Sequence, residues 1–246
     1  MDESNPVLDR IAAHRTIRSF APTPLDDAVI ERCVRAAQQA ATSSHVQGYS
    51  LLQVTNPDER ERLAELTGGQ RQVAEAGAFF VVCADQRRFD LIARRASKDF
   101  RPNLETFLVA TIDASLFAQN LVLAFESLGL GTCYIGGLRT RLPEVDELLE
   151  LPEQCLPLFG LCVGEIRDDA AQRDRLPLSG LLFRDRYPSD AEMLAAIDEH
   201  DAEMGKEYER RGLPGRNWSG GVVRKFEKPV REHLFDYYTS KGARLE

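Results

Sequence analysis

The sequence predicts an α+β fold, and two observations carry that reading. Short apolar or β-branched runs bounded by glycine or polar residues read as strands, with amphipathic stretches at helical spacing between them. The two kinds of element alternate too irregularly for a repeated βαβ unit, which argues against a doubly wound sheet. At 246 residues the chain is long for one domain and short for two. It reads as one domain, 1–246, with a C-terminal excursion at about 189–246.

Taken in chain order, the first helix is expected over Leu25–Ala41, where Leu25, Val29, Cys33, Ala36, Ala37 and Ala40 share a stripe. Strands are expected at Tyr49–Val54, Phe79–Ala84, Thr132–Ile135 and Leu158–Val163. The strongest helical pattern covers Leu104–Leu128, with Gly129 supplying a left-handed stop. Val109, Ile112, Leu116, Val122 and Leu123 add apolar surface around its girth, so it is expected to be a central helix covered on several sides. Ser189 with Glu192 three residues on is a capping box, opening a helix that runs to about Arg211 before Gly212. Its largely polar faces place it on the surface or against a second subunit. A last helix is expected after Pro229, stopping near Gly242.

Composition narrows function. The chain carries 31 Lys plus Arg against 39 Asp plus Glu, a formal charge of −8, which opposes general nucleic-acid binding. Lysine occurs only at 98, 206, 225, 228 and 241, leaving 26 arginines, the side chain suited to bidentate grip of phosphate or carboxylate. Five cysteines (Cys33, Cys83, Cys133, Cys155, Cys162) and four histidines, without ligand spacing, support neither a disulfide framework nor a metal site. Asp113 and Glu126 interrupt the longest apolar stretches, so no membrane association is expected. Asp2 and Glu3 oppose a leader, and a cytoplasmic location is the expectation.

Several segments could carry chemistry. His14-Arg15-Thr16-Ile17-Arg18 suits a phosphate or another anion, as does Arg173-Asp174-Arg175. Thr42-Ser43-Ser44-His45-Val46-Gln47-Gly48 offers hydroxyl donors. Thr67-Gly68-Gly69-Gln70 and Tyr134-Ile135-Gly136-Gly137-Leu138-Arg139 are double-glycine turns that permit close backbone approach to a planar ligand. Singly, each has a plainer reading as a solvated basic turn, a hydroxyl-rich loop or an ordinary turn. Neither a G-x-S-x-G elbow nor a recognisable catalytic cysteine signature is present, so no side chain is expected to act as a nucleophile.

In series, the segments HRTIRSF, ATSSHVQ, LTGGQ, ESLGLGTCYIGGLR, LPLFGLCVG, RDRLP and REHLFDYY resemble the nitroreductase family, from about Val7 to Gly242. The resemblance is closest to its NADPH-dependent, oxygen-insensitive nitroreductases and flavin reductases, called group A. It implies a central, mostly antiparallel sheet flanked by helices, in an intertwined homodimer that holds FMN at its interface. His14, Arg15 and Thr16, with Arg173 and Arg175, would then meet the FMN phosphate and ribityl end. Arg18 would approach the pyrimidine edge, where negative charge gathers on reduction. Thr42, Ser43 and Ser44 would reach the flavin from the partner subunit. Gln70 would bond the ring, and Tyr134, Ile135, Gly136, Gly137 and Leu138 would line it.

The resemblance further implies NADPH as donor, with Arg211 and Arg216 on its 2′-phosphate and Ser44, His45, Arg139, Lys225 and Lys228 toward NADPH or substrate. Small-molecule acceptors, namely nitroaromatics, quinones or free flavin, would be reduced two electrons at a time in a ping-pong cycle. Alternatives are a flavin reductase serving a partner monooxygenase and a flavin-binding protein without turnover. The chain departs from the pattern in places. His45 stands where relatives carry phenylalanine, Arg173 replaces a lysine, Lys225 and Lys228 stand where the family has a Lys and an Arg, and the basic segment Arg94–Asn103 is longer than expected.

Overall fold

The computed structural model describes residues 4–245. Asp2 and Glu3, read above against a leader, lie outside the described residues. The chain forms two compact units, one running to Ala171 and taking up the chain again from His233, the other spanning Gln172–Glu232.

The first unit is built on four strands: β1 (Tyr49–Gln53), β2 (Ala78–Asp85), β3 (Gly131–Ile135) and β4 (Cys155–Gly164). They form a fully antiparallel sheet in the order β1-β2-β4-β3. Because side chains alternate across a strand, β2 feeds two cores. Ala78, Phe80, Val82 and Ala84 enter one cluster, while Phe79, Val81 and Cys83 enter the other. Helices α2 (Asp27–Ala37) and α6 (Leu104–Ser127) supply the first cluster. Helices α3 (Pro57–Leu66), α4 (Gln72–Glu75) and α7 (Leu142–Leu149) supply the second. Two further helices, α1 (Pro6–Ala12) and α5 (Arg87–Arg95), lie at its surface.

Local chemistry explains where the boundaries differ from expectation. The helix expected over Leu25–Ala41 begins two residues later, because Asp26 caps it by accepting from the backbone N–H of Ala28, and it ends at Ala37. Strand β4 starts at Cys155, three residues before the expected Leu158. Proline is rare in a central strand, but Pro157 pairs with Cys83 where the register shifts, and its carbonyl accepts from the Tyr238 hydroxyl at 2.7 Å. Part of the basic segment expected as loop is helix, since α5 runs through Arg95. The last helix, α10 (Leu234–Ser240), starts well beyond Pro229 because Arg231 holds a left-handed backbone, φ 56°. It buries Tyr237 and Tyr238, and Lys241 after it pairs with Asp146 at 2.9 Å.

Helix α6 corrects the expectation of cover on several sides. Ala110, Ala114, Phe117, Leu121 and Phe125 are buried, yet Leu104, Leu108, Ile112 and Leu116 remain 44, 44, 54 and 44% exposed, one stripe at a spacing of four. The sheet and α2 cover one side of the helix only. By length and composition α6 could cross a membrane, but its Asp113 and Glu126 are buried and bonded inside the fold.

In the second unit, α8 (Asp190–Arg210) opens with the expected capping box between Ser189 and Glu192. Helix α9 (Trp218–Phe226), which sequence patterning did not reveal, follows; Asn217 caps it and Trp218 lies edge-on to the buried His200 at 5.3 Å.

Truncation of the buried stripe of α6 tests this packing. Leu121→Ala is expected to lower stability to urea by ~2–5 kcal/mol, the range for a leucine cavity in a core. A loss below ~1 kcal/mol in denaturation would contradict its place there.

Candidate functional site

The segment His14–Phe20 lies along the start of β3. Thr16 bridges Thr132 in parallel, and the Ile17 amide donates to the Thr132 carbonyl at 2.9 Å. Ile17 and Phe20 are buried. Gly131 admits this contact, since a Cβ there would lie 2.8 Å from Ile17. The polar side chains are left toward the surface. Buried Glu126 on α6 contacts His14 Nδ1 at 2.8 Å and accepts from the Thr132 hydroxyl at 2.8 Å. Arg15 grips Asp169 through Nε and Nη2, the latter at 2.9 Å, and this hydrogen bonding holds the Asp169 carboxyl below its ordinary range. Arg18 is exposed and has neither hydrogen bond nor ion pair among the described residues. Burial pushes the neighbouring Cys133 thiol up, and the charge of Arg18 offsets part of that shift.

The hydroxyl loop is held at a different point. Ser44, His45 and Gln47 adopt left-handed backbone, with φ of 46°, 59° and 53°. Such conformations cost roughly 1–3 kcal/mol each and persist only when the surroundings impose them. Fully buried Asp113 on α6 imposes part of this geometry, accepting from the Ser43 amide at 2.9 Å and the Gly48 amide at 3.0 Å. Arg88 on α5 supplies the other part, donating to the carbonyls of Gln47 at 2.7 Å and Tyr49 at 3.2 Å. Glycine suits this fit, because a Cβ at Gly48 would stand 3.0 Å from the Ala110 backbone, a tight contact. Ser43, Ser44 and His45 remain exposed at the tip, where the His45 ring and the Gln47 side-chain amide approach to 3.4 Å between nitrogens.

The two double-glycine turns meet. Gly68 and Gly69 have φ of 90° and 76°, which turns the chain so that Gln70 Nε2 donates to the Thr67 carbonyl at 2.8 Å. A Cβ on Gly137 would lie 2.1 Å from Gln70 Nε2 and 2.4 Å from the Thr67 carbonyl oxygen, so the turns close on one another only through glycine. Beside them Tyr134, Gly136, Arg139, Ser115, Gln119 and Phe159 line a hollow of about 380 Å³. Tyr134 stands edge-on to Phe159, with ring centres 5.3 Å apart.

Ile135 and Leu138, expected to line a ligand, have side chains fully buried in the second core cluster. Their backbone alone is available. The Arg139 guanidinium, expected toward substrate, donates to the Leu158 carbonyl, while its own carbonyl contacts His233 Nε2 at 3.2 Å.

Within the second unit Arg173 and Arg175 are exposed, and Arg175 Nη1 donates to the Arg173 carbonyl at 2.9 Å. Arg211 pairs with Glu207. Gly212 and Gly215, both in left-handed backbone, bracket the turn that ends at Arg216. Arg216 is exposed and free of side-chain partners among the described residues. Asp201 anchors the base of this turn, accepting from Asn217 Nδ2 at 2.9 Å and the Ser219 amide at 2.8 Å. Lys225 lies over the Phe226 ring at 5.3 Å, and Lys228 is exposed.

The structure thus gathers Arg18, Gln70, Tyr134, Gly136 and Gly137 around β3, while the 42–48 loop is anchored on α6 at Asp113. The two anchors on α6, Asp113 and Glu126, are thirteen residues apart, about 20 Å along a helix. Sequence reasoning missed Asp113, Glu126, Arg88 and Asp201 as site residues. For the first two a signal existed: acidic residues inside an otherwise apolar helix require buried partners.

Comparison with known proteins agrees with this architecture. The family model described as Nitroreductase family matches residues 11–165, and that described as Nitroreductase family, C-terminal domain, matches 173–246. The chain is 38% identical over 241 residues to an oxygen-insensitive NADPH nitroreductase of Salmonella typhimurium, covering 97% of this chain and 98% of that protein. It is 36% identical over 244 residues to an FMN reductase (NADPH) of Bacillus subtilis, again covering 97% and 98%. The solved structure of NfrA1 from B. megaterium superposes with a TM-score of 0.94 at 38% identity, covering 97% of this chain and 99% of that one. With nearly the whole chain matched in sequence, order and fold, the protein belongs to the nitroreductase family.

Proposed function

We propose that the chain is an FMN-dependent NADPH oxidoreductase, active as a homodimer, that reduces small acceptors such as nitroaromatics, quinones or free flavin by two electrons. The observation that carries this reading is an exposed guanidinium, Arg18, without a carboxylate partner among the described residues, on the segment that bridges β3, the strand leading into the Gly136-Gly137 turn. FMN fits the residues present. Gly136 leaves open a position where a Cβ would meet only Arg139 Nη2, at 3.6 Å, so a flat ring can approach the backbone. The His14 ring, held at Nδ1 by Glu126, offers its other nitrogen to a phosphate, and Arg15 would have to exchange Asp169 for it.

Bound flavin supplies the hydride chemistry, and the chain contributes anchorage, shape and charge. Arg18 places positive charge where the ring becomes more negative on reduction, the role that a preorganised donor plays toward any developing anion. The hollow beside Tyr134, about 380 Å³ in volume, supports alternate occupation by donor and acceptor. The exposed apolar stripe of α6 supports pairing with a second copy, and the outward-facing Ser43, Ser44 and His45 support the 42–48 loop serving that copy's flavin. Arg216, without a partner of its own, is the stronger candidate for the 2′-phosphate of NADPH; Arg211 is already engaged by Glu207.

The purified protein is expected to be yellow and to lose its visible absorbance on anaerobic addition of NADPH. Colourless protein that takes up no FMN contradicts the reading. Double-reciprocal plots of rate against NADPH at several quinone concentrations are expected to be parallel, and intersecting lines would exclude a shared pocket. Arg18→Met should retain FMN but lower kcat/KM by ~10²–10³, the usual loss for one preorganised donor to developing negative charge. For Arg216→Ala, the KM for NADPH should rise ~10-fold or more relative to that for NADH, since a hydrogen bond to a charged group is worth ~1.5–3 kcal/mol. An unchanged ratio sinks that assignment.

A further inference from the structure

We infer that Asp113 is a positioning residue of the flavin site, acting on the flavin of the other subunit through the loop that it holds. The inference rests on the dimeric FMN reading above, and goes beyond it by assigning a task to a buried carboxylate that reaches the proposed ligand residues only through the backbone amide of Ser43.

Four observations support it. Asp113 is fully buried and has no Lys, Arg or His ion-pair partner among the described residues. Its two oxygens are instead used one each on the amides of Ser43 and Gly48, at 2.9 and 3.0 Å, closing the two ends of the loop onto α6. Between those ends Ser44, His45 and Gln47 are in left-handed backbone that the free chain disfavours. Arg88 secures the carbonyl side, binding Gln47 and Tyr49. The carboxylate therefore holds an otherwise unfavourable loop in one shape, with Ser43, Ser44 and His45 presented outward.

The same helix carries Glu126, which orders His14 and Thr132 at the other site. One rigid element thus fixes both the part of the site that a chain keeps and the part that it lends. An amide at position 113 retains a single acceptor oxygen and turns a donor toward one backbone N–H, so the loop loses one end of its clamp.

This division of labour predicts complementation between subunits. Asp113→Asn is expected to weaken FMN binding by about tenfold, equal to one charge-assisted hydrogen bond, measured by flavin fluorescence titration. Heterodimers are then prepared from differently tagged chains, one carrying Asp113→Asn and the other Arg18→Met. In such a pair one flavin meets an intact Arg18 from its own chain and an intact loop from the other, while the second flavin meets both defects. The expected result is quinone reduction by NADPH near half the wild-type rate, well above either variant homodimer. A defect that merely destabilised the variant chain would stay with that chain and would not be rescued in this way.

Arg88→Ala, at a partly exposed position, supplies a second variant that spares the buried helix, and it should behave likewise against Arg18→Met. Heterodimers no more active than the two homodimers, with wild-type protein yellow and active, would overturn the inference and leave the function standing. Wild-type protein that binds no FMN overturns both.

Discussion

The burial of α6 sets the terms for the rest of this structure. The helix lies under the sheet and against α2, so its Asp113 and Glu126 are removed from water and must find hydrogen bonds inside the protein. Neither is answered by a local side chain on the helix. Asp113 takes backbone amides from a loop 65 and 70 residues earlier in the chain, and Glu126 takes His14 and Thr132. Each carboxylate thereby converts a desolvation cost of several kcal/mol into a fixed position for a surface segment. The segments fixed in this way are those that carry the polar groups proposed to bind flavin.

Glycine does the complementary work. Gly48 lets the loop meet α6, Gly131 lets Ile17 pack on β3, and Gly137 lets the two double-glycine turns interlock around Gln70. At Gly131 and Gly137 a single methyl group would overlap a neighbour, and at Gly48 it would crowd one, so these close contacts exist because no side chain stands in the way. Charge then differentiates the surface. Arg15 is spent on Asp169 and Arg211 on Glu207, whereas Arg18 and Arg216 retain their guanidinium groups for something outside the chain. Net charge of −8 would give no hint of these two local concentrations of positive potential.

The α+β class, the four strands, the long apolar helix and the Ser189 capping box were all legible as periodicity and cap chemistry. So were the glycine turns and the basic segment at His14. What patterning lost was decided by non-local packing. Pro157 lies inside a central strand where the register shifts: Val82 pairs with Phe159 and Cys83 with Pro157, leaving Leu158 as an extra residue on β4. Ile135 and Leu138 looked like ligand-lining residues by their place in the turn, but their side chains point into the core. The stripe Leu104, Leu108, Ile112 and Leu116 was expected to be covered, and cover from the chain's own sheet and α2 does not extend to it.

By itself the sequence determined the elements, the family and the residue types available for an anionic, planar ligand, because helix spacing, strand alternation and turn glycines are properties of neighbours along the chain. Only the tertiary structure decided which arginines are already neutralised, which carboxylates are buried, and that the 42–48 loop is anchored about 20 Å along α6 from the His14 segment. Those are matters of distance between residues remote in sequence. A carboxylate's role depends on what stands 3 Å from its oxygens, and for Asp113 the groups that do so lie two strands and three helices back along the chain.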